Sequence, residues 1–273
     1  MFRLLLLIAS AVTLSAAPGS PVLTVGILSD SNTSNSIRQE KDDTAATASV
    51  SLSSLRVINR NWQGNLRFNA STSRWKKFDG LDLSPVSVQG GLRRKFGFGP
   101  YAPTVDLTVE WGRRFASTSE RTSNFGVGKL AYSQRINPSL KWRASAEIER
   151  YSARRQVFST TRHAFRVGAD YELNDKWSTS VSLAHGKGDL VSWCRISFPE
   201  FAGTTQWLDG IFGGDWFPYQ TVSKTTALHF SLSRALSNHS AVAISADLSK
   251  SAGTVKRHIY YNDIFSLQFI HAF

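Results

Sequence analysis

The chain has 273 residues, and 32 Lys and Arg against 20 Asp and Glu leave a formal net charge of +12. Cys194 is the sole cysteine, which excludes an intramolecular disulfide, and beyond the first seventeen residues no apolar run approaches the ~18 that a membrane helix needs. The length suits one domain.

In chain order, Arg3 supplies a positive charge, Leu4 to Ile8 begin an apolar run that lasts through Leu14, and Ser15, Ala16 and Ala17 are small. This is the order of a secretory signal peptide, assigned to residues 1–17 with cleavage within about 16–20. No cysteine lies near that point, so a lipid anchor is not supported. Residues 22–273 then read as a single domain.

The rest alternates with period two, the signature of strands with two unlike faces. Leu23, Val25 and Ile27 mark a first strand. A polar connection, Ser31–Asp43, leads to a second with Ala46, Ala48, Val50 and Leu52. Asn59–Asn61 turns into a third with Trp62, Leu66 and Phe68. Lys76–Ser84 connects to a fourth with Val86, Val88 and Leu92. Gly97-Phe98-Gly99-Pro100 turns into a fifth, where Val105, Leu107, Val109 and Trp111 alternate with Asp106, Thr108 and Glu110. Ser117–Asn124 is polar. In a sixth strand, Phe125–Gln134, Gly126 and Gly128 leave the facing open between a regular and a bulged strand. Asn137-Pro138 precedes a seventh, with Trp142, Ala144, Ala146 and Ile148 against Lys141, Arg143, Ser145, Glu147 and Glu149. Phe165, Val167, Ala169 and Tyr171 mark an eighth. Asn174-Asp175 turns into a ninth with Trp177, Val181 and Leu183. The long Leu190–Gln220 segment separates it from a tenth with Leu228, Phe230 and Leu232. Ser237-Asn238 turns into an eleventh with Val242, Ile244, Ala246 and Leu248. After Ser251–Asn262 the terminal strand carries Phe265, Leu267, Phe269, His271 and Phe273 on one face.

Long and short connections alternate without exception. Soluble sandwiches have no reason to sort their connections by parity, whereas transmembrane barrels have short periplasmic turns and longer outer loops. The expected fold is all-β: an antiparallel up-and-down transmembrane barrel of about 12 strands. It is a multi-pass protein of the Gram-negative outer membrane. Twelve strands ~4.8 Å apart and tilted ~40° close at a backbone diameter of about 24 Å. Opposite the apolar faces lie the lumen candidates Arg67, Arg93, Lys95, Glu110, Lys141, Arg143, Glu147, Arg166, Asp170 and Asp247. Two readings stay open for them. Opposite charges on neighbouring strands can pair and fill the interior, or they can line a conducting path.

The basic excess suits a lumen or mouth that favours small anionic solutes, and loops that face lipopolysaccharide. An exported chain makes nucleic acid a poor partner. A small, possibly anion-favouring porin is the leading expectation. The alternatives are a non-conducting structural, adhesion or surface-binding barrel, a lipid-modifying enzyme, and a surface-protein assembly factor. Trp193, Trp207 and Trp216 stand out in the aromatic Leu190–Gln220 segment as loop or lid candidates, with self-packing favoured over ligand contact. Candidate chemistry is thin. Asp79 and Asp82 read as turn formers, Cys194 as an incidental thiol, and no cluster has metal-ligand spacing, so no cofactor is expected. His229-Phe230-Ser231 resembles the H-x-S arrangement of some outer-membrane lipid A deacylases, but its His and Ser lie on the inward face.

Several stretches resemble an uncharacterised group of proteobacterial outer-membrane β-barrel proteins. They are Asp30–Asn35 (DSNTSN), Arg94–Pro103 (RKFGFGPYAP), Gly168–Leu173 (GADYEL), Lys187–Ser192 (KGDLVS) and Tyr261–Phe273 (YNDIFSLQFIHAF). The opening and closing strands also resemble the barrel of surface lipoprotein assembly modifiers, without the periplasmic helical repeats of those proteins. A terminal strand of alternating aromatics ending in Phe resembles the insertion signal of outer-membrane barrels. That resemblance implies that Phe265, Leu267, Phe269 and Phe273 engage the barrel-assembly machinery.

Overall fold

The computed structural model describes residues 19–37, 40–195, 209–253 and 258–273. The expected signal peptide at 1–17 and Trp207 lie outside the described residues. Twelve antiparallel strands close on themselves among the described residues: β1 (Val22–Asp30), β2 (Asp43–Val57), β3 (Trp62–Trp75), β4 (Leu83–Lys95), β5 (Thr104–Ala116) and β6 (Ser123–Arg135), followed by β7 (Leu140–Ala153), β8 (Thr160–Glu172), β9 (Trp177–Cys194), β10 (Phe217–Ala235), β11 (Ser240–Gly253) and β12 (Ile259–Ala272). Each strand pairs with its sequence neighbours. β12 returns to β1 with Ala272 opposite Val22 and Ile264 opposite Asp30. Closure leaves no unpaired edge, which is what lets a sheet cross lipid.

The outward face is apolar. Ile27, Leu107, Val109, Leu130, Phe165, Leu183, Leu228, Ile244 and Phe265 are all exposed, as side chains that meet lipid rather than a core must be. The inward face carries the alternate residues, many of them Ser, Thr, Arg, Asp and Glu. The usual order of apolar inside and polar outside is thus reversed, and the chain is an integral outer-membrane barrel.

At the end that holds Val22 of β1 and Ala272 of β12, the turns repeat one device. Asn59 Oδ1 accepts the N–H groups of Asn61 and Trp62 at 2.9 and 3.1 Å. Asn137 does the same for Ser139 and Leu140, at 2.9 and 2.8 Å. Asn174 does so for Lys176 and Trp177, at 2.9 and 3.0 Å. An Asn side chain that mimics a backbone turn is the reason Asn is favoured there. Gly97 and Gly99 have φ of 105° and 80°, which only glycine adopts readily, and they shape the β4–β5 turn.

Two expectations about boundaries change. β6 keeps one continuous register with both β5 and β7 through Gly126 and Gly128, so there is no bulge. The outer connections are also shorter than the polar composition suggests, because pairing continues above the apolar band. Ser251 is opposite Tyr260, and Lys250 is opposite Tyr261, inside what reads as loop. Likewise β9 runs to Cys194 and β10 starts at Phe217. Backbone pairing needs no apolar side chain, so the sequence pattern fades before the strand ends.

Candidate functional site

The sequence-predicted charges sit on the inward faces, most in cross-strand contact. Arg93 Nε meets Asp106 Oδ1 at 2.5 Å, and Arg143 Nη1 meets Asp170 Oδ1 at 3.1 Å. Lys129 Nζ lies 3.6 Å from Glu147 Oε2. Asp247 Oδ1 is 2.8 Å from His229 Nδ1. Ser231 turns the other way, to Ser180 Oγ at 2.8 Å. The H-x-S side chains therefore bond to opposite neighbouring strands. Lys95 and Lys141 share the inward parity of Arg93 and Arg143 near the periplasmic rim. Asp82 accepts from Arg74 Nη1 and the Trp75 amide, both at 2.8 Å, and so closes its connection as a turn residue.

Three cavities follow one another along the lumen. The first, about 440 Å³, is lined by Asn65, Arg67, Gln89, Arg93, Asp106, Glu110, Lys129 and Glu147. The second, about 240 Å³, shares Glu147 and adds Glu149, Arg162 and Arg166. The third, about 330 Å³, shares Glu149 and Arg162 and reaches Arg114, Arg121, Tyr151, Trp75, Phe158 and Trp193. Glu147 thus borders both the first and second cavities, and Glu149 and Arg162 both the second and third. Lys129, Arg162, Arg114 and Arg121 escaped sequence selection. The first three lie on strands whose facing the neighbouring residues could have fixed, and Arg121 lies in a connection with no period.

The outer end is covered by an aromatic lid. Leu81, Val157, Phe158, Trp193, Phe212 and Trp216 form one buried cluster, with Trp216 0% exposed. These residues come from the β3–β4, β7–β8 and β9–β10 connections and the tip of β9. Those elements are not all neighbours in the ring, so they can meet only above the lumen. Phe212 packs against Phe78, Trp193 and Trp216 with ring centroids 4.8, 5.5 and 5.5 Å apart. Trp193 and Trp216, two of the loop or lid candidates, pack within this cluster.

The hairpin of β9 and β10 makes the crossing. β8 stops pairing with β9 at Gly188, opposite Arg162. Beyond that the free edge of β9 meets the β1–β2 connection. Trp193 N–H donates to Ser34 O at 2.9 Å, and Asn35 Nδ2 donates to Val191 O at 3.2 Å. Asn35 has φ 46°, which Asn tolerates better than most residues. Asn32 Nδ2 donates to Ser36 O and to Tyr261 O, each at 2.9 Å, which fixes that connection from inside. The Asp30–Asn35 motif thus serves as a cross-mouth brace. Its partners are far apart in sequence, so no local signal marks them.

Two charges belong to the lid, Asp209 buried and Arg121 half-buried. Asp209 accepts from Trp193 Nε1 at 2.8 Å and from the Ile211 amide at 3.2 Å, and burial pushes its carboxyl above the usual carboxylate range. Arg121 donates to Gly80 O and lies 5.9 Å from the Phe158 ring; desolvation lowers its guanidinium to about 10, so it stays cationic at neutral pH.

No family model and no curated protein matches the chain. Among solved structures it is similar to an outer membrane channel from Pseudomonas putida F1. The identity is 11%, the alignment covers 94% of this chain and 97% of that one, and the TM-score is 0.61. The NanC porin aligns at 11% identity over 92% and 99% of the chains, with TM-score 0.48. The KdgM porin in complex with disordered oligogalacturonate aligns at 7% over 92% and 99%, with TM-score 0.47. At this identity the first likeness establishes the outer-membrane barrel fold alone.

Proposed function

We propose that the protein is a small, passive, anion-favouring channel of the outer membrane whose outer mouth rests under the aromatic lid. The observation that carries this reading is the succession of three cavities along the lumen, neighbours of one another through the shared lining residues Glu147, Glu149 and Arg162. A lumen filled only by structural ion pairs would have no reason to leave successive polar cavities. Arg67, Arg114, Arg121, Arg162 and Arg166 line that space, and among the described residues none forms an ion pair within 4 Å. Cationic groups bordering such space favour anion entry. The similar Pseudomonas putida F1 structure is named as a channel, which agrees with this reading.

Residues 1–17 are assigned to export and the terminal strand to assembly. Lipopolysaccharide is the lipid neighbour, and kinship with the proteobacterial barrel group rests on the quoted motifs. Planar-bilayer recording tests the channel reading. A folded barrel should give discrete conductance steps and, in a salt gradient, a reversal potential on the anion side. The hydrolase alternative predicts turnover of lipid A or phospholipid that Ser231→Ala abolishes. The expected outcome is no turnover in either protein.

A further inference from the structure

The strand register builds a basic row on the outer wall. His163 on β8 is directly opposite Lys187 on β9, and Lys187 is directly opposite Lys224 on β10. All three are exposed and share a face with Phe165, Leu183 and Leu228, so they point away from the lumen. Lys250 on β11 stands opposite Thr226, two residues below Lys224 on the same face. Like charges directly across a strand pair repel. Next to lipid they are costlier, because less water screens them. Among the described residues neither Lys187 nor Lys224 forms an ion pair. The carboxylate nearest in sequence on that face, Asp189, is two residues along β9 and accepts the Thr161 N–H at 2.8 Å. The row is built for an anion that the protein does not supply.

Beneath the row lies an apolar groove of about 750 Å³. Gly128 and Ala146 lower its floor between the larger Leu107, Leu130, Ile148 and Phe165. His163, Lys187 and Lys224 line the same groove. His163 is three residues from the outer end of β8 at Thr160, while Lys187 and Lys224 are each seven residues inside the outer ends of β9 at Cys194 and β10 at Phe217. The outer-membrane placement assigns this upper part of the wall to the headgroups of the outer leaflet. We propose that this wall is a binding site for lipid A, the lipid anchor of lipopolysaccharide, with a phosphate on Lys187 and Lys224 and an acyl chain in the groove. Lysine serves as a point charge for phosphate, and the groove supplies the area that a headgroup site alone lacks. The inference rests on the outer-membrane placement in the proposed function and not on conduction.

The test uses the full mature barrel purified in detergent and mixed with lipid A, with retained lipid read by mass spectrometry of the intact complex. Lys187→Gln/Lys224→Gln should keep its heat-modifiable mobility and lose about tenfold in lipid A retention. Dephosphorylated lipid A and phosphatidylglycerol should be retained about tenfold less than lipid A by the wild-type barrel. Lys187→Arg/Lys224→Arg should restore retention. If the double Gln variant does not fold, Lys224→Gln alone is read the same way. Equal retention by the folded Gln variant, or equal retention of either comparison lipid, would overturn the proposal. Bilayer conductance of the same variants should be unchanged, so a failed lipid site and a failed channel give different results.

Discussion

Asp209 sits where burial and hydrogen bonding oppose each other, and burial prevails. Its folded pKa lies above the unfolded carboxylate value of 3.8, so the closed lid binds more protons between the two values. Lid stability from this group is complete below the ordinary value and is lost as pH rises through the shifted one. Closed dwell times in single-channel records should therefore shorten as pH rises above about 4. Asp209→Asn keeps one acceptor oxygen for two donors, so it should flatten this dependence while weakening the Trp193 bond. A pH dependence that survives in the Asn variant would contradict the assignment. Trp216, fully buried, is the other test at this scale. Trp216→Ala should cost the lid cluster about 3–5 kcal/mol. Because the cluster sits above the wall, heat-modifiable folding should persist while the outer connections become protease-sensitive. A collapse in folding yield would place Trp216 in the barrel's own stability instead.

The strands and their periplasmic turns were legible because each rests on local chemistry: period-two alternation and an Asn that closes its own turn. Asn137→Ala leaves the Ser139 and Leu140 amides without their side-chain acceptor. It should lower stability by about 1 kcal/mol, read as a shift of the urea midpoint at constant slope. No shift would mean that water replaces the side chain without loss. The outer strand ends were not legible, since residues such as Ser251 pair without any alternation of polarity. Leu81 and Phe158 were missed for a related reason: single apolar residues in short connections carry no period, and only the folded ring brings them to Trp193. The terminal strand is a proposal of its own. Phe273 is exposed, and its N–H donates to Pro21 O at 3.1 Å across the β1–β12 seam. Deleting Phe273 should leave export intact and reduce the folded fraction in the outer membrane. Unchanged barrel levels would remove the assembly role.

For the whole molecule, a closed wall with an apolar exterior leaves the lumen as the place for the proposed conduction. Alternation foretold which charges face inward, yet it could not say whether they fill the interior or leave a path. That outcome depends on side-chain volumes summed around the ring. Arg93 and Asp106, or Arg143 and Asp170, pair across neighbouring strands, while Glu147, Glu149 and Arg162 border space. Ion pairs thus cross the interior between the same strands, β4 to β8, whose other inward side chains border the cavities. Planar-bilayer recording of the purified, heat-modifiable barrel addresses this most directly. The account predicts discrete conductance steps with an anion-side reversal potential that moves toward zero when Arg162 is changed to Gln. Silent bilayers containing demonstrably folded protein would contradict it.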